Sequence, residues 1–518
     1  MLLGPGRFNV GSTKASRIHP GKSAVQSLFS TMQSFFQYRR LRREAQDDIR
    51  RMQQAKRPAG PFTDAWTIQL ETAPQTDVED QSESGRMAEK STPSVDRALF
   101  PGVKVLRTDE SEDGIVFVVD WKENDSNNPQ HWSLARKWMA TVTCCVIGIA
   151  MTLPTSVEGP AQNAFNAYYG VGPMAGSMTT GIFLIGIGVG SLFAGPFSET
   201  FGRNVVYLSA LLLAMLFIMA KALAPTYGAA LAFRFLCALF AAAPMTVAGG
   251  TIGDVWQSHQ IPFGLPFATF CVYSGPILGP VVGAYTPEIG FAWADWISMF
   301  LMGAAIIFVL LAQPETYSPL LLEWRAKHLR DLTGDSRYRT EHTSVSSLGP
   351  RLLTNLYRPF VMIWTEPIIL IFTFYLVLLY FILFTFLGGY EAIFTRTYGI
   401  STSLTYIIWV AMLPGVFIAM AMIPYVYSLT KKSAAKSMAE GKPIQPEVSL
   451  YWAMAGASIL MPISLFWMAW TCYVRETEPS RSLPFSANIR CLQPSISIWS
   501  PIIASSVFGY ALVCIFTT

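Results

Sequence analysis

Charge is scarce in this sequence. Only 14% of its 518 residues are Asp, Glu, Lys or Arg, against 51% hydrophobic, and the mean hydropathy is +0.35. Soluble domains carry about 25% charge, so an ordinary soluble enzyme is excluded. The net charge of +4 is too small to imply a nucleic-acid partner. Seven cysteines, at positions 144, 145, 237, 271, 472, 491 and 514, show no paired spacing, which argues against a disulfide framework or a metal site. No catalytic triad, metal-ligand cluster or phosphate loop is present, so neither an enzyme nor a cofactor is expected. Gly186-Ile187-Gly188-Val189-Gly190 imitates a dinucleotide loop, yet it lies in an apolar run with no preceding strand, where glycines serve helix packing.

What the chain has instead is repeated apolar runs near the roughly 20-residue length that crosses a bilayer. Ten candidate spans follow Lys137: residues 137–154, 177–198, 204–224, 228–249, 264–286, 291–313, 361–387, 401–427, 450–473 and 494–517. Lys and Arg lie before Lys137 and in the 314–358 and 428–449 loops, while the 155–176 connection has none, which places the amino terminus in the cytoplasm. Residues 1–133 read as a disordered tail: positions 1–43 hold eight Lys or Arg and no acid, and the stretch is rich in Ser, Gln and Pro. Within it, Leu28, Phe29, Met32, Phe35 and Phe36 recur at helical spacing before a basic cluster. They suit an amphipathic helix on an anionic membrane surface, or a mitochondrial transit peptide.

Three motifs carry chemistry. Gly275-Pro276-Ile277-Leu278-Gly279-Pro280-Val281-Val282-Gly283 places a bare glycine stripe on one helix face, while each Pro removes a backbone donor, giving a close-packed, bendable helix. Gly195-Pro196-Phe197-Ser198-Glu199-Thr200-Phe201-Gly202-Arg203 offers two glycines for a tight turn, with a carboxylate and a guanidinium for a charge-linked latch. Arg234, in an otherwise apolar run, would cost at least roughly 2.5 to 3.5 kcal/mol unpaired, so it faces the bundle interior, water or an anion, or snorkels to the surface. The Gly-Pro run resembles the fifth-helix motif of proton-coupled antiporters in the major facilitator superfamily, and the Gly195 to Arg203 loop resembles the superfamily's cytoplasmic loop signature. Pro314-Glu315-Thr316-Tyr317-Ser318-Pro319 and Asp120-Trp121 with Asn128-Pro129 and Trp132-Ser133 resemble segments of the fungal twelve-helix drug:proton antiporters, the branch of polyamine and multidrug exporters.

That resemblance implies an all-α membrane protein with the major facilitator fold. The expected layout is a first six-helix bundle over 134–313, a cytoplasmic loop over 314–358 and a second bundle over 359–518, with about ten of twelve spans present. It implies a monomeric plasma-membrane exporter that exchanges protons for small organic molecules. Arg234 would serve proton coupling, Gly195, Glu199, Gly202 and Arg203 gating, and Gly275, Pro276, Gly279, Pro280 and Gly283 the leak-tight bend. Tyr273, Tyr375, Tyr380 and Glu391 are candidates for a substrate cavity, with an interfacial belt as the alternative role for the tyrosines. The sequence departs from the family at Gln257-Ser258-His259-Gln260 and at Ala292, where relatives carry arginine, and at Ala238, where they carry glycine. Residues 474–493 interrupt the ninth and tenth spans as a retained intron would, and helices eleven and twelve are expected but missing, which would favour a truncated, non-transporting form. An uptake permease of the same fold is the remaining alternative.

Overall fold

The computed structural model describes residues 32–55, 102–107, 115–122, 124–257, 260–340, 357–358, 360–439, 459–471, 474–475, 493–494 and 497–516. In chain order these form helix α1 (Met32–Ala55), strands β1 (Val103–Arg107) and β2 (Ile115–Val119), and helices α2 (Leu134–Thr152), α3 (Gln162–Tyr169), α4 (Pro173–Phe201), α5 (Arg203–Ala222), α6 (Tyr227–Val255), α7 (Ile261–Gly283), α8 (Trp293–Ala312) and α9 (Ser318–Thr333). Strand β3 (Tyr338–Arg339) follows, then α10 (Pro367–Tyr390), α11 (Thr402–Ile407), α12 (Leu413–Ala439), α13 (Met461–Thr471) and α14 (Trp499–Phe516). They fall into two compact units, one of residues 1–37, 126–321 and 345–518, the other of 38–125 and 322–344.

The larger unit is built of membrane-spanning helices. Eight helical segments among the described residues are long and apolar enough to cross a bilayer, six of them between Leu134 and Ala312. They match the first eight expected spans. The ninth is described only over residues 459–471, 11 of them in α13, and the tenth is the 18-residue α14. The 474–493 insertion lies outside the described residues except at its ends, where Val474 and Arg475 pair antiparallel with Pro494 and Gln493.

Glycines set how closely these helices approach. A Cβ on Gly186 would stand 2.7 Å from the Phe235 carbonyl oxygen and 2.7 Å from the Ala238 Cβ, so α4 packs on α6 through bare backbone; Gly188, two residues on, meets nothing within 4 Å. The imitation dinucleotide run is therefore a packing stripe, as its place inside a span implies. The core of the first bundle gathers Phe183, Tyr207, Leu211, Ile218, Met302 and Val309. A second core gathers Phe386, Tyr390, Trp409, Met412 and Phe508 from the later helices, and Ile277 of α7 joins it. Helix α7 thus contributes to the core of the later helices.

The smaller unit differs from the disordered tail expected over 1–133. Residues 32–55 contain neither Gly nor Pro, which lets α1 run unbroken for 24 residues. Strand β1 pairs antiparallel with β2, Val103 opposite Val119, and β2 pairs in parallel with β3, Phe117 beside Tyr338. Ala45, Val119, Ala326, Leu329 and Tyr338 form its core. Asp48 pairs with Lys122 at 2.7 Å and Asp125 with Arg325 at 3.1 Å. The tail reads as polar because its apolar area is small; the central loop supplies the other half of the core. On α1, Met32, Phe35 and Phe36 are exposed while Ser34 and Gln37 are buried, and Leu28 and Phe29 lie outside the described residues.

Candidate functional site

At one end of the first bundle the chain turns from α4 into α5 at Gly202, whose φ of 92° and closeness to Glu315 exclude any side chain. Gly195 takes no part in this turn, contrary to the sequence reading, because α4 continues through it to Phe201. Arg203 donates from Nε to Asp254 Oδ2 (2.9 Å) and from Nη1 to Ser198 Oγ (2.6 Å). Glu199, the carboxylate expected in the latch, is exposed, and the carboxylate paired with Arg203 is that of Asp254. Glu315 completes the corner. Its buried carboxylate accepts backbone N–H bonds from Arg203 (3.1 Å), Asn204 (3.2 Å), Thr316 (3.0 Å) and Tyr317 (3.0 Å), which caps the amino terminus of α5. Burial raises the Glu315 carboxyl above its usual range, and these backbone donors pull it back. Gln37 brackets the Glu315 backbone, donating to its carbonyl (3.3 Å) and accepting from its N–H (3.1 Å).

At the opposite ends of the same helices lies a buried ion cluster. Arg234, fully buried on α6, sits 2.6 Å from Glu158 and donates through Nη2 to the Pro154 carbonyl (2.6 Å), with its guanidinium 4.4 Å from the Phe183 ring centre. Lys221 of α5 donates to Glu158 (2.7 Å) and to both oxygens of Asp295 on α8 (2.9 and 2.7 Å). Two cations and two anions from four segments balance one another, which answers the high cost of any single charge at that depth. Sequence reasoning found Arg234 and missed its three companions. A signal existed: Lys221 and Asp295 both fall inside expected spans, where an ionisable residue needs a partner. A cavity of about 20 Å³ reaches Glu158 and Lys221 between Gln162, Phe165, Thr180 and Phe291.

The glycine stripe of α7 lies against the same stretch that carries Glu158. Helix α2 ends at Thr152 and gives way to a 3-10 turn, Leu153–Thr155, followed by a second at Gly159–Ala161. A Cβ on Gly279 would stand 2.9 Å from the Leu153 carbonyl oxygen and 3.0 Å from the Val157 nitrogen. One on Gly275 would overlap Thr152, and one on Gly283 would overlap the Val157 carbonyl. Ser156 donates to the Pro276 carbonyl at 2.8 Å. Pro276 and Pro280 both lie inside α7, which remains helical through Gly283.

Of the four residues read as a substrate cavity, the structure brings together Tyr273 and Tyr380, whose hydroxyls are 3.5 Å apart. Tyr375 instead lines an apolar groove of about 500 Å³ with Leu379, Ile382, Met461 and Phe466, between α10 and α13. Glu391 is exposed. Of the departures from the family pattern, Ser258 and His259 lie outside the described residues.

The family model described as Major Facilitator Superfamily matches residues 139–518. The MFS-type transporter kojT of Aspergillus flavus is 36% identical over 516 residues, which covers 94% of this chain and 86% of that protein. The transporter paaT of Penicillium rubens is 32% identical, over 72% of this chain and 68% of its own. A solved structure of a double-tryptophan XylE mutant overlays at a TM-score of 0.48 with 12% identity, over 74% of this chain and 80% of that one. The chain belongs to the major facilitator superfamily and is a multi-pass membrane transporter.

Proposed function

We propose that this transporter is a proton-coupled exporter of the drug:proton antiporter branch, moving small organic molecules such as drugs, polyamines or secondary metabolites out across the plasma membrane, with its amino terminus in the cytoplasm. The observation that carries the reading is the buried cluster of Glu158, Arg234, Lys221 and Asp295. An exchanger that draws on a proton gradient needs a group that takes up a proton in one state and releases it in the other. Glu158 is the carboxylate shared by both cations. Protonating it leaves an excess positive charge in a low-dielectric interior, so the cluster rearranges or gives up the proton. The Gly-Pro stripe supports the same reading, since it packs α7 tightly against the segment that holds Glu158.

In the proposed cycle a proton enters from the outer face and neutralises Glu158, and Arg234 loosens its hold on the broken end of α2. The bundles then shift about α7, whose Ile277 already packs in the second core. Cargo binds between the bundles near Tyr273 and Tyr380, where two aromatic faces suit cationic or amphipathic molecules. At the cytoplasmic end, Arg203, Asp254 and Glu315 hold the gate.

Reconstituted vesicles with an imposed pH gradient test this, with labelled spermidine and rhodamine 6G as cargo. An antiporter concentrates cargo when the lumen is acidic. Accumulation only when the outside is acidic would identify an uptake permease and overturn the proposal.

A further inference from the structure

Proline at position 280 creates a defect in α7 that the chain repairs from another helix. In an α-helix the N–H of residue 280 donates to the carbonyl of residue 276, and proline has no N–H. The Pro276 carbonyl is thereby left without its helical donor in an apolar bundle, where an unmet backbone acceptor is costly. Ser156 fills the gap, its hydroxyl donating to that carbonyl at 2.8 Å. Only glycine at 279 leaves room, because a Cβ there would overlap the Ser156 Oγ. The sequence therefore pairs a proline that frees one carbonyl with a glycine that admits the replacement donor.

Ser156 stands two residues before Glu158, in the short stretch between the 3-10 turns that end α2. The same stretch is gripped from the other side by Arg234, which holds the Pro154 carbonyl and the Glu158 carboxylate. Residues 154, 156 and 158 are thus tied alternately to the ion cluster and to the Pro276–Pro280 stretch of α7. A change in the hold of Arg234 moves a segment whose next attachment is the α7 backbone. Helix α7 in turn contacts the second core through Ile277.

We propose that Ser156 is a positioning residue that transmits the protonation of Glu158 to the bend of α7, through the Pro276 carbonyl that Pro280 leaves free. This rests on the reading of the cluster as the proton site. The groups facing Glu158 are Arg234 and Cys237 of α6, Lys221 of α5, Asp295 of α8 and Tyr169 of α3, and Tyr406 reaches the adjacent Gly159 carbonyl. Ser156, two residues from Glu158, is hydrogen-bonded to the α7 backbone at the Pro276 carbonyl.

The test uses the full chain in vesicles without cargo. A reporter cysteine replaces the exposed Val282 on α7, and its maleimide labelling rate, corrected for the chain lacking it and divided at each pH by that of N-acetylcysteine to remove the thiol's own ionisation, is compared at pH 5.5 and pH 8. With Ser156 intact the rate changes between the two pH values; Ser156→Ala reduces that response about tenfold, the effect of one unmet buried acceptor. Pro280→Ala restores an N–H to the helix, so adding Ser156→Ala to it changes the response by less than about twofold, whatever Pro280→Ala does alone. A full response in Ser156→Ala, or an undiminished loss in the Pro280→Ala background, overturns the inference while leaving the proton site standing. A reporter that ignores pH with Ser156 present overturns both.

Discussion

Gly279→Ala is the smallest change that tests whether α7 must touch the broken end of α2. The added methyl would sit 2.9 Å from one backbone oxygen and 3.0 Å from a backbone nitrogen, and would overlap the Ser156 hydroxyl. Backbone atoms cannot swing aside as a side-chain end can. Overpacking of this kind costs about 1 to 3 kcal/mol. Displacing Ser156 removes a hydrogen bond worth about 1 kcal/mol. Against this, Ala gains about 1 kcal/mol over Gly in helix propensity. The net loss of about 1 to 3 kcal/mol corresponds, in a chain of this length, to a fall in melting temperature of roughly 1–4 °C. Gly188→Ala is the control, because it gains the same propensity and meets no neighbour. Thermal unfolding of both variants in detergent decides the matter, with transport measured alongside. If Gly279→Ala melts with or above Gly188→Ala and still transports, the close approach is not a requirement of the fold.

The other predictions concern the two ends of the bundle and the smaller unit. Arg234→Lys folds but loses transport by roughly tenfold to a hundredfold, since an ammonium cannot reach both Glu158 and the Pro154 carbonyl as the forked guanidinium does; wild-type rates would refute this. Glu315→Ala strips the acceptor from four backbone donors and lowers stability by about 2 to 4 kcal/mol, with Glu315→Gln intermediate; a melting temperature equal to wild type would count against the cap. Burial, helped by Arg42, lowers the His328 pKa from 6.5, so the unfolded chain binds a proton there first. Stability is therefore lost as pH falls below about 6.5, and His328→Gln flattens that dependence in thermal scans from pH 7.5 to 5.5.

The spanning helices were readable because length and apolar content are local properties, and eight of the expected spans have counterparts in the structure. The glycine stripe was readable for the same reason: one helix carries the whole pattern. Arg234 stood out as a lone cation in an apolar run, but the rest of its cluster did not, because Glu158 pairs with it from a connecting segment and Lys221 and Asp295 join through Glu158 from two other helices. A charge at a helix end reads as an anchor at the membrane surface. Glu315 belonged to a recognisable linker motif, yet its role as a cap depends on α5 beginning beside it. The smaller unit was least legible, since Ala45 and Val119 become a core only when Ala326 and Leu329 arrive from the central loop. Tyr375 and Tyr380 share a helix yet meet different neighbours, because helical spacing does not say what a face packs against.

Gradient-driven transport by Glu158→Gln tests the central claim most directly. The variant mimics the protonated carboxyl and removes its ability to release the proton. The account predicts that cargo still exchanges across vesicles at equal pH on both sides, while accumulation driven by an acidic lumen disappears. Accumulation equal to that of the unaltered transporter would contradict it.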